Sequence, residues 1–321
     1  IDIVETIRNS MDEKKYACGV FLDLKKAFDT VNHNILLSKL EHYGIRDTGS
    51  QWFRSYLHNR KQYVHVNGVD SSVLDISCGV PQGSVLGPLL FLIYINDLPN
   101  ISNKLSFFLF ADDTNIYLDS VDLKTLEKTI NKELMKLYEW LCINRLSLNI
   151  SKTNFVIFTP PNKQKQNVTI LINKKAIKEE KYVKHLGLLI DSQLTFKNHI
   201  DELKKKISRS IGVLCKLKPY VNSKILLNVY YAIVYPFLLY GIIIWGNSSN
   251  TLLSSLHILQ KRFVRLATNN PFGSWTCTQP LFHKLNVLNV YDIYKLQLGI
   301  NVYEFNNNLG PINKIINLTP A

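Results

Sequence analysis

Asp112 and Asp113 stand side by side between two apolar runs, residues 105–111 and 114–118. Neighbouring side chains in a strand point to opposite faces, so one continuous buried strand would not solvate both acids. A carboxylate buried there without a partner would be costly. The spacing therefore predicts a hairpin that presents both acids at its tip. Residues 18–24, Cys-Gly-Val-Phe-Leu-Asp-Leu, are another short apolar run that reads as a buried strand, with the acid Asp23 near its end. With Asp23 beside the hairpin, three carboxylates converge. Hard oxygen ligands suit Mg²⁺. Such a set supports two cations about 4 Å apart, the arrangement used for phosphoryl transfer, which needs positioning and charge neutralisation. An isolated Asp-Asp pair is also compatible with an ordinary acidic turn, so the surrounding sequence has to decide.

Around these acids the pattern alternates strand and helix. Residues 2–15 read as the end of a helix, and 32–43 and 48–58 as two more. Residues 62–67 and 72–77 read as a hairpin around Gly68-Val69-Asp70. A glycine-rich turn, Gly79 to Gly87, feeds an apolar helix over 88–98. Residues 122–145 predict a long amphipathic helix with Leu126, Ile130, Leu134, Leu137 and Leu141 on one face. A strand over 153–159, a polar connection over 160–167 and a β segment over 168–190 follow, and from about residue 196 the pattern is mostly helical and basic. The expected fold class is α+β: an antiparallel sheet with helices on one face, then a mainly helical region.

Charge is distributed unevenly. Residues 1–160 hold 17 Lys and Arg against 18 Asp and Glu, and residues 161–321 hold 21 against 7. The whole excess lies in the second half, which suits a polyanionic partner, nucleic acid or an anionic membrane. A solubilising surface would mix its signs more evenly. The five cysteines are odd in number and too scattered for a zinc pair, which argues against a disulfide framework and fits a reducing, intracellular setting. Ile225 to Trp245 carries no charged side chain and is long enough to span a bilayer. Asn228 and Pro236 interrupt it, however, so a buried helical pair broken at Pro236 accounts for the same residues.

Three motifs in fixed order complete the reading: Phe21-Leu-Asp-Leu-Lys-Lys-Ala-Phe-Asp29, Gly79-Val-Pro-Gln-Gly-Ser84 and Phe110-Ala-Asp-Asp113. Together, with the long form running from Gly79 to Leu98, they resemble the reverse transcriptases of non-LTR retrotransposons, the jockey-like and related long interspersed elements. The resemblance covers nearly the whole chain, is sharpest over 19–191 and is looser after 250. It implies an RNA-directed DNA polymerase with a palm, a thumb and two Mg²⁺ ions (Mn²⁺ as a substitute). The partners implied are an RNA template, a DNA primer and deoxynucleoside triphosphates, in the nucleus and cytoplasm, without membrane insertion or secretion. The sequence leaves the oligomeric state open.

The resemblance also implies roles for individual residues. Asp23 and Asp112 are the principal metal ligands and Asp113 the third acid. Phe28 is the steric gate against a ribose 2′-hydroxyl, with core packing as the alternative. Gly79, Pro81, Gln82 and Gly83 form the turn that meets the template or the incoming nucleotide, with plain loop chemistry as the alternative. Lys152, in Leu148-Asn-Ile-Ser-Lys-Thr153, is the candidate general acid for departing pyrophosphate, or else a solvated lysine. His185-Leu-Gly-Leu-Leu-Ile-Asp191 resembles the primer grip, centred on Leu186 and Gly187, and His185 is assigned no chemistry. Lys204, Lys205, Lys206 and Arg209 belong to the thumb and meet nucleic-acid backbone. Lys261, Arg262 and Arg265 form a later cluster that serves equally as a solvated face.

The expected organisation is a palm with catalytic motifs over 1–160, a palm C-terminal β segment with the primer-grip hairpin over 161–195, and a helical thumb and C-terminal extension over 196–321. The chain starts at Ile1 with helix-like sequence, so an N-terminally truncated fragment with fingers largely absent is expected. The alternative function is a catalytically inactive RNA-binding remnant or domesticated module. The three acids in place favour the enzyme.

Overall fold

The apolar run before Asp23 becomes the middle strand of a five-stranded sheet. The structure is a computed structural model that describes residues 2–160, 163, 167–269 and 277–309. In chain order its first elements are α1 (Asp2–Asp12), β1 (Tyr16–Leu22), α2 (His33–His42) and α3 (Asp47–Leu57). Four two-residue strands follow, β2 (Lys61–Gln62), β3 (His65–Val66), β4 (Val69–Asp70) and β5 (Leu74–Asp75), then α4 (Leu86–Ile95). Next come β6 (Ser106–Phe110), β7 (Asp113–Ser120), α5 (Leu123–Ile143) and β8 (Asn154–Phe158). Three short strands, β9 (Leu171–Ile172), β10 (Lys175–Ala176) and β11 (Lys178–Glu179), complete the first of two units, which ends at Lys181.

The sheet order is β11-β8-β1-β7-β6, antiparallel except where β11 joins β8 in parallel. Side-chain alternation sorts its residues into two faces. Val20 and Leu22 of β1, Ile116 and Leu118 of β7, and Phe155 and Ile157 of β8 enter a core shared with α2, α4 and α5. The predicted apolar face of α5 is the buried one: Leu126, Ile130, Leu134, Leu137 and Leu141 are all inaccessible or nearly so. Asp122 caps that helix by accepting the Thr125 N–H at 2.8 Å. One helix lies on the opposite face. The Tyr117 hydroxyl, pointing away from the core, donates to Ser10 Oγ and Thr6 O of α1 at 2.5 and 3.3 Å. Cover by helices on one face thus holds for α2, α4 and α5, while α1 covers part of the other.

The hairpin between α3 and α4 begins its turn one residue earlier than the expected Gly68-Val69-Asp70. His65 pairs with Asp70 and Val66 with Val69, leaving Asn67-Gly68 as a two-residue turn with φ of 51° and 80°. Asn-Gly favours that doubly left-handed turn because neither residue pays the usual steric penalty there. Of the polar connection expected over 160–167, residues 161, 162 and 164–166 lie outside the described residues.

The second unit begins at Tyr182. It opens on the hairpin β12 (Tyr182–His185) and β13 (Leu188–Asp191) and continues through α6 (Lys197–Leu217), α7 (Ser223–Ile233), α8 (Tyr235–Leu239) and α9 (Ile242–Trp245). α10 (Asn250–Ala267), α11 (Gln279–Leu285) and α12 (Val290–Asn306) follow. The division falls inside the segment expected to form one β unit, so β9 to β11 belong to the first unit and the β12–β13 hairpin to the second. The uncharged stretch Ile225–Trp245 is three short helices. Pro236 sits in the first turn of α8, where its missing N–H costs nothing, and Gly241 at φ 63° precedes α9. Among the described residues no helix is long and apolar enough to cross a membrane.

Candidate active site

β1 leaves the sheet at Leu22, which pairs with Thr114 of β7, so the next residue along, Asp23, comes opposite Asp113. Phe110 pairs with Asp113, which makes Ala111-Asp112 the two-residue turn of the β6–β7 hairpin. Ala111 has φ 52°, a left-handed conformation that costs a residue with a Cβ about 1 kcal/mol or more. The acids are thus at the hairpin tip, as the spacing predicts. The register sets Asp23 across from Asp113 rather than Asp112, with Asp112 in the turn beside them. Asp112 and Asp113 are exposed and Asp23 is half-buried.

Electrostatics ties the three together. The Asp113 carboxyl is held above its ordinary value by partial burial first, then by the negative charges of Asp112 and Asp23. Among the described residues no three Asp, Glu, His or Cys side chains are gathered closely enough to hold one metal ion as they stand. Mutual repulsion of three carboxylates favours such a spread. The donor set nevertheless fits a hard divalent cation, because it is all carboxylate oxygen and because a cation would relieve the penalty on ionising Asp113.

That penalty has a measurable sign. A raised folded-state value means the associated stability is complete below the ordinary carboxylate range and is lost as pH rises through the raised value. Asp113→Asn should therefore raise Tm near neutral pH in the absence of divalent cations. Asp113 is exposed, so solvent limits the gain to about 1–3 °C. The gain should vanish under acidic conditions where Asp113 is already protonated. Thermal melts of both proteins across pH check this, and a neutral-pH Tm that fell would contradict the repulsion.

Asp23 is fastened by a distant loop. Its N–H donates to Thr153 Oγ1 at 3.3 Å, and its carbonyl accepts the Asn149 N–H at 2.8 Å. The Lys25 N–H donates to Ser147 O at 2.8 Å, and Leu24 bridges to Leu148. Thr153 Oγ1 in turn donates to Asn149 O at 3.0 Å. Lys152 lies within this loop, exposed, with its N–H donating to Asn149 O at 3.1 Å. The loop thus carries Lys152 on the same segment that fixes the Asp23 backbone. Asn149 and Thr153 are positioning residues, a role that their own stretch of sequence does not signal.

The glycine-rich turn is bound to the other end of the Asp23 segment. The Gly79 N–H donates to Val31 O and the Val80 N–H to Phe28 O, both at 2.8 Å. Gly79 has φ 90°, and a Cβ there would lie 2.7 Å from the Asp29 carbonyl oxygen, so a side chain is excluded twice over. Gln82 Nε2 donates to Asp29 Oδ1 at 2.7 Å. His33 Nε2 is 2.8 Å from Gly79 O. Ser84 Oγ donates to Pro81 O at 2.8 Å and accepts the Gly87 N–H at 2.9 Å, closing the turn onto the start of α4. Gly83 has φ 80° and open space around it. Phe28 is half-buried, its ring 4.7 Å from that of Phe91 on α4. Packing and gating are therefore compatible for Phe28. A groove of about 580 Å³ opens beside the turn, lined by Lys26, Asp29, Arg60, Gly79, Pro81 and Gln82 among others.

In the second unit, Leu186 and Gly187 form the β12–β13 turn with φ of 44° and 83°. The Tyr240 hydroxyl donates to Leu186 O and its ring packs where a Gly187 side chain would stand. The α6 cations do not act as one set. Lys204, Lys205 and Arg209 line a groove of about 770 Å³ with Ser255 and Arg262 of α10. Lys206 instead pairs with Glu202 at 2.5 Å and lies over the Phe237 ring. Arg262, taken from the sequence as equally well a solvated residue, joins the groove.

Residues 2–190 match a family model described as "Reverse transcriptase (RNA-dependent DNA polymerase)". Among curated proteins, the "RNA-directed DNA polymerase from mobile element jockey" of Drosophila funebris is 31% identical, over 84% of this chain and 30% of its own length. The "Probable RNA-directed DNA polymerase from transposon X-element" of Drosophila melanogaster is 28% identical, over 90% of this chain and 32% of its own. The chain thus spans about a third of the length of these relatives. Among solved structures, a Candida albicans telomerase in complex with a fragment of telomeric RNA aligns at TM-score 0.47 and 13% identity, covering 90% of this chain and 53% of that one.

Proposed function

The chain belongs to the reverse transcriptase (RNA-dependent DNA polymerase) family, and from that premise we propose that it is the catalytic palm and thumb of a non-LTR retrotransposon's RNA-directed DNA polymerase. The observation that supports the reading is the strand register, which brings Asp23 opposite Asp113 with Asp112 in the adjoining hairpin turn. The reaction is addition of a deoxynucleotide to a DNA primer's 3′-hydroxyl, directed by an RNA template.

Asp23, Asp112 and Asp113 are the residues that would hold Mg²⁺. Two such ions, or Mn²⁺ in their place, would supply neutralisation of the negative charge that phosphoryl transfer develops. The chain's own residues do the positioning. The 147–153 loop holds the Asp23 backbone and carries Lys152, which donates a proton to pyrophosphate as it leaves. Phe28, braced on Phe91, excludes a ribose 2′-hydroxyl. Gly79, Pro81 and Gly83 shape the turn from which Gln82 reaches the template or nucleotide. Leu186 and Gly187 support the primer end. Lys204, Lys205 and Arg209 hold duplex phosphates, a sequence-independent and salt-sensitive attraction.

RNA-templated primer extension with deoxynucleotides and Mg²⁺ tests the reading. Incorporation that requires all three acids supports it. Duplex binding without incorporation would favour the RNA-binding module instead. The split among the α6 cations gives a second expectation. Replacing Lys204, Lys205 and Arg209 with Gln should weaken duplex binding and lower the log–log salt slope by roughly one unit for each phosphate no longer neutralised. Lys206→Gln should change the slope much less, because its ammonium is engaged with Glu202. Equal effects from Lys206 and from Lys204 in a salt titration would contradict this division.

A further inference from the structure

The exposed face of α3 is an aromatic ladder that the catalytic site does not use. Trp52 is 52% exposed, an unusual position for so large an indole. Its ring stacks on that of Tyr56, one helical turn on, with centroids 5.4 Å apart and planes within 8° of parallel. The Arg60 guanidinium continues the series, 5.7 Å from the Tyr56 ring centroid. Trp52 and Tyr56 share one side of α3 by their i, i+4 spacing, and Arg60, beyond the end of the helix at Leu57, returns to the same Tyr56 ring. Phe53 meets Trp52 edge-on at 4.9 Å, and both Phe53 and Tyr56 pack against the core of the first unit, so the ladder is anchored from beneath.

We infer that this ladder is a stacking platform for unpaired bases of a single-stranded RNA segment, the template strand ahead of the copied position. The inference rests on the polymerase reading above. Three observations select this occupant. Flat π surfaces backed by a guanidinium suit bases of any sequence. The surrounding charge suits a polyanion, with Arg46, Arg54, Arg60 and Lys61 against Asp47 between residues 45 and 62. The platform also leads somewhere useful, since Arg60 lines the groove that holds Gln82 and Lys26. The flanking exposed residues Gln51, Ser55 and Asn59 are polar.

The test compares an RNA–DNA duplex carrying a 5′ RNA overhang with the blunt duplex of the same sequence. Binding of fluorescently labelled duplexes to the whole chain is followed by anisotropy. The wild type should prefer the overhang, and Trp52→Ala should weaken overhang binding by about tenfold while leaving the blunt duplex unchanged. Trp52→Phe, which keeps a ring, should retain most of the preference, and thermal melts should show both variants folded as the wild type is. Unchanged overhang affinity in Trp52→Ala, with duplex still bound, would overturn the platform alone. A loss of self-association in that variant with RNA affinity intact would assign the face to protein and also overturn it. Failure of the wild type to bind either duplex would overturn the polymerase reading as well.

Discussion

Asp112→Asn is expected to lower RNA-templated nucleotide addition by about 10³-fold or more while leaving template–primer affinity nearly intact. The substitution keeps the shape of the Ala111-Asp112 turn and removes one of the two charges closest to Asp113. It therefore acts on cation binding and not on folding. The cations proposed to hold duplex lie elsewhere in the chain, on α6 and α10. Removing a negative charge near phosphate should, if anything, tighten the duplex slightly. Single-nucleotide extension kinetics beside equilibrium duplex binding separate the two effects. Parallel loss of both would mean that Asp112 is a structural acid.

Phe28→Val should raise ribonucleotide incorporation relative to deoxynucleotide by about tenfold to a hundredfold, with deoxynucleotide addition retained. A 2′-hydroxyl excluded by ring volume is admitted once the ring is gone. The Phe28 ring also packs on Phe91, so full truncation to Ala would strip away core packing and cost stability. Val leaves part of that packing in place. Phe28→Tyr is the companion variant, because it keeps the ring and should keep discrimination. Competition between the two nucleotide types at a single template position reads the ratio directly. An unchanged ratio in the Val variant, with a lowered Tm, would return Phe28 to packing alone.

The parts of this fold that follow a local period were legible in the sequence. Leu126, Ile130, Leu134, Leu137 and Leu141 repeat at helical spacing, and all five are buried on α5. Asp112-Asp113 interrupts two apolar runs, and the interruption is the β6–β7 turn. What depended on distant partners was not legible. The hydrogen bond from the Asp23 N–H to Thr153 joins residues 130 positions apart, and nothing in either segment announces it. The same holds for Gln82 and Asp29, which are far apart in sequence and meet through their side chains.

The cluster Lys204-Lys205-Lys206 shows a different limit. Adjacent residues in a helix point about 100° apart, so three in a row cannot share a face. Counting cations locates a basic helix, but only the neighbours of that helix decide which cations are free. Glu202, one turn before Lys206, captures it, whereas Arg262 arrives from α10 to join the other side. The uncharged stretch Ile225–Trp245 was ambiguous for a related reason. Composition allowed a membrane span, and the breaks at Val234, just ahead of Pro236, and at Tyr240-Gly241 gave three short helices instead.

Manganese binding followed by electron paramagnetic resonance tests the central claim most directly, since it reads the carboxylates without requiring turnover. The chain is titrated with Mn²⁺ in the presence of an RNA–DNA duplex and a non-hydrolysable deoxynucleotide. Wild type should bind Mn²⁺ in a duplex- and nucleotide-dependent manner, and Asp23→Asn and Asp112→Asn should each weaken that binding by about tenfold or more. Mn²⁺ binding that was the same in wild type and in both variants would contradict the assignment of these carboxylates to the cations of the polymerase reaction.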